Sequence, residues 1–285
     1  MALTLRPASQ EDAKPCGAIC FEAFSAVAKV CRFPPEFASA DQAVAVLAWM
    51  IGHPGFYGMV AERDGRIVGS NFLDLRGEIV GVGPLTVELS VQNRGIGRRL
   101  MEEVMRKAAQ MEAPGVRLVQ AAAQGRSLAL YALLGFKVRE PLACLNGPPP
   151  KASVPGHHVR PARVTDVAAC NLVCQRVHGF NRDGELRDAI TFGSARLVER
   201  EGHVTGYTTG VAYSGHAVAM ANSDMKALIG AADGFGQPGF LMPMRNDDLF
   251  RWCLEHGLKI SHPLTLMARG DYAEPDGAFL PSITY

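Results

Sequence analysis

Apolar and polar positions along the first half of the chain fall into a succession of short runs, and each run predicts an element. Leu3-Thr4-Leu5-Arg6-Pro7-Ala8 reads as an opening strand. Ser9, with Asp12 three residues on, makes a capping-box-like start to the helix that follows. A polar, irregular stretch with Phe33-Pro34-Pro35-Glu36-Phe37 leads to a second helix over Asp41–Met50. Tyr57–Glu62 and Arg66–Leu75 flank Arg63-Asp64-Gly65, a hairpin signal. Then come an apolar strand-like run, Val82–Leu89, a strongly helical segment, Arg98–Met111, and a strand, Val116–Ala121. A short helix closing on Gly135-Phe136 completes the series.

The junction between the apolar run and the long helix carries the most chemical information. Gln92-Asn93-Arg94-Gly95-Ile96-Gly97 holds two glycines that let the backbone turn tightly and direct bare N–H groups to one point at a helix N-terminus. With the positive end of the helix dipole behind it, such a concavity favours a pyrophosphate. Arg94, Arg98 and Arg99 add positive charge. No G-x-x-x-x-G-K-[ST] occurs in the chain, which argues against a P-loop NTPase. No G-x-G-x-x-G follows the first strand, which argues against a Rossmann dinucleotide site.

Val87, Gln92, Gly95 and Gly97 fit the pattern Val-x-x-x-x-[Gln/Arg]-x-x-Gly-x-[Gly/Ala]. About thirty residues on, Gln124 stands seven before Tyr131, and Gly135-Phe136 follows. In both motifs and their order the chain resembles the GNAT superfamily of acetyl-CoA-dependent N-acyltransferases. It departs from the usual pattern at Gln124, where the family has Asn.

The resemblance implies an α/β (α+β) fold, with a mixed, mostly antiparallel sheet flanked by helices, and acetyl-CoA as co-substrate. It implies cofactor contacts from Val87, Leu89, Gln92, Asn93, Arg94, Gly95, Ile96, Gly97, Arg98, Arg99, Gln124, Ser127 and Tyr131. Main-chain groups near Val87 and Leu89 would bond the pantetheine amides in a slot between splayed strands. Tyr131 would be the general acid that protonates the leaving thiolate. Glu88, beside the slot, is a candidate base, with a surface ion pair and a water chain as the competing readings.

The chain then repeats itself. Arg6-Pro7-Ala8 with Asp12 recurs as Arg160-Pro161-Ala162 with Asp166. Glu62–Gly69 recurs as Glu199–Gly206, and Gly135–Val138 as Gly257–Ile260. Three matches in one order indicate a second copy of the fold. Asn146 to Gly156, rich in proline, marks a connector, so the expected organisation is residues 1–147, a linker over 148–156, and residues 157–285. Asn222–Gly230 falls where a second pyrophosphate loop would, without its glycines, and Cys253 falls at the position of Tyr131. The second copy is therefore expected to be degenerate and to shape or cover the cleft of the first. Asn246, which matches Gln124, is expected to be a helix cap.

Composition narrows the partners. With 48% hydrophobic and 20% charged residues, the 285-residue chain is ordinary for a globular protein. Its net charge of +1 divides into +2 over residues 1–150 and −1 over 151–285. Neither half has the basic excess that nucleic acid or an anionic membrane requires. No secretory signal is visible at Met1-Ala2-Leu3, and the uncharged window Gln42–Ala61 is broken by His53, Pro54, Gly55 and Gly58. Seven scattered cysteines suit a reducing cytoplasm. Cys170, Cys174 and His178 share a helix face but read as core residues, so no metal is expected.

The expected function is thus acetyl transfer to a primary amine of a small-molecule or peptide acceptor, in a cytoplasmic protein that could form a homodimer. The contrasting readings are a non-catalytic CoA-binding or sensory module, and a transferase with an aminoacyl donor. The composition of the acceptor region, Ala26–Ala40 and the second copy, does not choose among amines.

Overall fold

The computed structural model describes residues 3–285. It begins with β1 (Leu3–Pro7), a 3₁₀ turn at Gln10–Asp12, then α1 (Ala13–Cys31) and α2 (Ala40–Gly52). Asp12 accepts hydrogen bonds from the Ser9 backbone N–H and hydroxyl, so the expected capping contact forms, with the 3₁₀ turn intervening. The hairpin is β2 (Phe56–Arg63) and β3 (Arg66–Asp74), with Asp64 and Gly65 both at positive φ. Next come β4 (Val80–Val82), β5 (Thr86–Val87), α3 (Ile96–Gln110), β6 (Gly115–Ala121), α4 (Gly125–Leu133) and β7 (Lys137–Asn146).

The second half follows the same order. Its elements are β8 (His157–Pro161), α5 (Val167–His178), α6 (Asp183–Thr191), β9 (Arg196–Arg200), β10 (His203–Thr208) and β11 (Ala217–Ala219). They continue with α7 (Asn222–Gly230), β12 (Phe240–Pro243), α8 (Asp247–Glu255), β13 (Lys259–Gly270) and an additional strand, β14 (Ala278–Leu280). Among the described residues fourteen strands form two mostly antiparallel sheets with helices against them, the fold class expected.

The division near residue 150 separates the sequence copies but does not separate the sheets. One sheet runs β1-β2-β3-β4-β6-β13-β7-β12, with β5 beside β3; the other runs β14-β11-β10-β9-β8. The last two repeat strands of the second half thus join the sheet of the first. β13 lies between β6 and β7, pairing Leu266 with Val119 on one side and with Glu140 on the other. β12 pairs with β7, Phe240 opposite Leu145. Each copy supplies the strand beside the other's penultimate strand, so the two halves share one hydrogen-bonded ladder.

The run read as one strand, Val82–Leu89, is broken into β4 and β5, followed by a 3₁₀ turn at Leu89–Val91. Pro84 has no N–H to give a ladder, so it cannot sit in a central strand. β4 pairs with β6 in parallel at Val80–Val116 and Gly81–Arg117; β5 then pairs only with β3. The break therefore opens a gap between β5 and β6.

α3 and α4 cover one face of this sheet. Ile96, Leu100, Met101, Val104 and Ala108 form the buried stripe of α3, against Val68, Leu73, Leu118 and Phe136. α1 and α2 cover the other face, burying Cys16, Cys20, Leu47 and Met50 on Val60 and Phe72. In the second half α5 and α6 pack on Leu197, Tyr207 and Val218, and α7 and α8 on Val198 and Phe240. Cys170 and Cys174 belong to that core. Among the described residues no helix is long and apolar enough to cross a membrane.

Candidate functional site

A cleft of about 1420 Å³ opens at the gap between β5 and β6 and continues over the sheet to the second half. At one end stands the glycine loop. Gly95 has φ +80°, a left-handed conformation that glycine adopts without a Cβ penalty. Gly97 is different: a Cβ there would meet only ordinary contacts, 3.8 Å from Val87 Cγ2 and 3.9 Å from Leu130 and Leu85. Nothing within the protein demands glycine at that place in a helix, where it costs about 0.5–1 kcal/mol relative to alanine. The space it leaves faces the cleft.

The loop is held from two sides. Gln92 Nε2 donates to the Val87 carbonyl at 2.9 Å. Arg126 of α4 donates to Gln92 Oε1 at 2.7 Å and to Asn93 Oδ1 at 3.0 Å. Arg126 lines the cleft and clamps the loop onto α4, a role no motif indicated. The first helical bond of α3 runs from Arg99 N–H to Gly95 C=O, so the earlier N–H groups of the turn have no partner within the helix.

Most of the expected cofactor residues gather here. Val87, Leu89, Gln92, Asn93, Gly95, Ile96, Gly97, Arg98, Gln124, Ser127 and Tyr131 all line the cleft. Ile96 turns its side chain into the core, so only its backbone serves the loop. Arg94 and Arg99 do not line the cleft, and Arg99 instead donates to the Leu3 carbonyl at 3.3 Å. The charge expected from Arg99 is thus spent on tying α3 to the edge strand.

Gln124 occupies the N-cap position of α4 without a side-chain capping bond. Ser127 Oγ bonds Gln120 Oε1 at 3.1 Å and the Gln124 carbonyl at 2.9 Å. This leaves Gln120 Nε2 buried without a partner, a free donor on the wall of the slot. The orphan amide, the Gly97 space, the open first turn of α3 and the gap beside β5 all fit a phosphorylated carrier with an extended, amide-bearing arm.

Tyr131 lies further along, half-buried, its ring edge-on to Phe136 with centroids 6.2 Å apart. Its hydroxyl makes no hydrogen bond to the described residues, and burial pushes its pKa up to about 12. Glu88 is placed otherwise than the base reading expects. It does not line the cleft; it pairs with Arg66 at 3.1 Å and accepts from the Ser90 hydroxyl at 2.6 Å. The carboxylate is thus turned to Arg66 of β3 instead of the cleft.

The far end of the cleft is built jointly. Phe24, Phe37, Trp49 and Phe56 come from the first half, Phe192 and Tyr213 from the second. Trp49 meets Phe56 and Phe192 edge-on at 5.2 and 6.0 Å. Arg76 lies over Phe56 at 4.6 Å and binds Asp74 at 2.5 Å and Asp188 of α6 at 2.9 Å. His53 reaches the same Asp188 at 3.3 Å. Burial pushes Glu185 upward, but Arg182 at 2.6 Å and His216 at 3.1 Å outweigh it and hold the carboxyl below its usual range. Burial and Arg182 push His216 down to about 4.

Glu36, in the connection between α1 and α2, also lines this end. Its sequence context carried no motif. Burial pushes its pKa up to about 7, with the Tyr213 hydroxyl partly offsetting the shift.

Residues 22–136 match the model of the Acetyltransferase (GNAT) family. The match falls wholly within the first half of the chain and includes the glycine loop and Tyr131. The whole chain shares its fold with a Pyrococcus horikoshii protein solved as a candidate acetyltransferase, at 16% identity and a TM-score of 0.74, over 97% of this chain and 94% of that one. A GCN5-related N-acetyltransferase from Sphaerobacter thermophilus has 16% identity and a TM-score of 0.58, over 95% and 96% of the two chains. Another from Anabaena variabilis has 13% identity and a TM-score of 0.58, over 94% of this chain and 72% of its own. At these identities the likeness is one of fold, and it extends through both halves. A comparison with curated proteins gave no significant match.

Proposed function

We propose that the protein is an N-acetyltransferase that moves an acetyl group from acetyl-CoA to a primary amine in a ternary complex, with the chemistry confined to the first half. The observation that carries this reading is the Gly95–Gly97 turn at the head of α3, opening onto a slot that ends at Tyr131.

Acetyl-CoA, when bound, supplies a thioester whose carbonyl carbon is open to attack by an amine. The first-turn N–H groups of α3 would hold its pyrophosphate, with Arg98 nearby, and Gln120 Nε2 offers a donor to its amide-bearing arm. Tyr131, kept as a neutral phenol by burial, donates its proton to the leaving sulfur. α6 and the Tyr213 segment supply a second wall to the acceptor end.

Acetyl-CoA should raise the melting temperature of the purified protein through ligand linkage. Gly97→Val should fold, because its Cβ meets only ordinary contacts, and should lose that shift. An unchanged shift in the variant would refute the loop assignment.

A further inference from the structure

Glu36 differs from every other carboxylate at the acceptor end. Asp188 is held by Arg76 and His53, and Glu185 by Arg182 and His216. Glu36 forms no ion pair among the described residues. The titratable groups set against it are uncharged at neutral pH. They are the Tyr213 phenol from the second half and the thiols of Cys20 on α1 and Cys144 on β7, all pushed up by burial. His262 of β13, whose ring centroid lies 6.2 Å from that of Tyr213, is pushed down to about 4 and is neutral as well. An ionised carboxylate with no counterion in an apolar wall is costly, and a cation arriving in the cleft would relieve that cost.

Position agrees with charge. The Tyr213 carbonyl accepts from Ile283 N–H at 2.8 Å, and the backbone of the next residue, Thr284, lies hard against Gly81. Gly81 is the last residue of β4 to pair with β6 before the gap opens. Glu36 lines the same continuous cleft as the slot, in a wall with Phe24, Phe37, Val27 and Val30.

Resting on the acetyl-CoA reading above, we propose that Glu36 receives the acceptor as an ammonium and takes its proton, and that the acceptor is a primary amine on an apolar, preferably aromatic body with no carboxylate of its own. The unpaired Glu36 attracts the ammonium, the aromatic wall takes the body, and Arg76, already shared by Asp74 and Asp188, offers no free cation to an acceptor carboxylate. A proton passes from nitrogen to Glu36, freeing the nitrogen lone pair. The amine attacks the thioester carbonyl carbon; the N–C bond forms and the C–S bond breaks. Sulfur leaves with the electron pair and takes the Tyr131 proton. The proton shed by nitrogen as the amide forms restores Tyr131, and Glu36 releases its own to solvent.

The test uses the full chain, acetyl-CoA, and two matched amines, 2-phenylethylamine and L-phenylalanine. The wild-type protein should turn over 2-phenylethylamine with at least tenfold higher kcat/KM than L-phenylalanine. Its rate should rise with pH through about 7, where the Glu36 carboxyl ionises. Glu36→Gln should lower kcat by about 10²-fold or more, abolish that limb, and keep the acetyl-CoA melting shift. Should the variant not fold, the wild-type melting shift caused by 2-phenylethylamine should grow as pH rises through 7, and a pH-independent shift would overturn the proposal. Equal use of both amines overturns it too, as does a Glu36→Gln enzyme with the wild-type rate and limb. So does a protein that binds acetyl-CoA yet leaves 2-phenylethylamine untouched. A wild-type protein with no acetyl-CoA shift would instead sink the cofactor reading, and this proposal with it.

Discussion

The two halves of the molecule share a frame and differ where the frame would hold a ligand. Arg6 binds Asp12 at 2.7 Å and Glu62 at 3.0 Å; Arg160 binds Asp166 at 2.8 Å and Glu199 at 2.7 Å. In both, an arginine near the end of the opening strand ties the next turn to the second strand. The likeness stops at the third helix. α3 opens with a bare turn facing the cleft, whereas the first turn of α7 contains Asp224, fully buried and bound to Arg200 at 3.2 Å and Thr205 at 2.7 Å, with His157 Nε2 3.2 Å away. A carboxylate there would repel a pyrophosphate. The slot differs as well. In the first half β5 has no partner on the β6 side, but in the second half β14 pairs with β11 along its free edge, Val218 opposite Phe279. The second copy fills with its own chain the place the first leaves open. In this molecule the second copy serves the first as a wall of the cleft and a partner in its sheet.

Exchange of a single residue at the matched fourth-helix position should give the widest contrast. Tyr131→Phe should lower the acetylation rate at least about tenfold, and up to the 10²–10⁴-fold typical of a lost general acid, with acetyl-CoA affinity nearly intact. Cys253→Ala, at the matching and fully buried place on α8, should barely change turnover. Equal losses in steady-state rate would show that the second half carries chemistry of its own. Full activity in Tyr131→Phe would return that ring to a packing role against Phe136.

A smaller effect should appear where the halves meet. Arg76→Ala leaves Asp74 without its cation and Asp188 with His53 alone, at a mostly buried position, and breaking such a pair costs about 3–5 kcal/mol. Urea unfolding should show this as a lower midpoint for the whole molecule, because the shared ladder makes the halves one cooperative unit. An early transition confined to one half, with the other unshifted, would mean that the halves unfold separately.

Much of this was legible in the residues. The hairpin at Asp64-Gly65, the glycine loop, the short helix before Gly135 and the repeated Arg–Asp–Glu cluster all depend on neighbours close in the chain or on a fixed spacing. Asn246 also behaves as read, its Oδ1 accepting from Leu249 N–H at 3.3 Å. The exchange of β13 was not legible. Its opening motif matches that of β7, so the sequence of the strand carries no mark of which copy it will pair with. Pro84 announced the break in the central run, yet the apolar composition around it outweighed that signal. Glu88 and Arg99 neighbour the loop along the chain, whereas their partners, Arg66 and the Leu3 carbonyl, are distant in sequence and come to them only in the fold. Glu36 sits in an irregular connection without a motif; the burial that pushes its pKa up, and the Tyr213 hydroxyl that partly offsets the shift, are brought to it by the fold alone.

The most direct measurement is a crystal structure of the protein grown with coenzyme A, since the account holds that one half kept the site and the other closed it. The expected result is a single molecule per chain. Its pyrophosphate should lie on the first turn of α3 at Gly95–Arg98, and its arm should run between β5 and β6 toward Tyr131. Coenzyme A bound at the head of α7, or in the first-half cleft with its phosphates away from Gly95 and Gly97, would contradict the account.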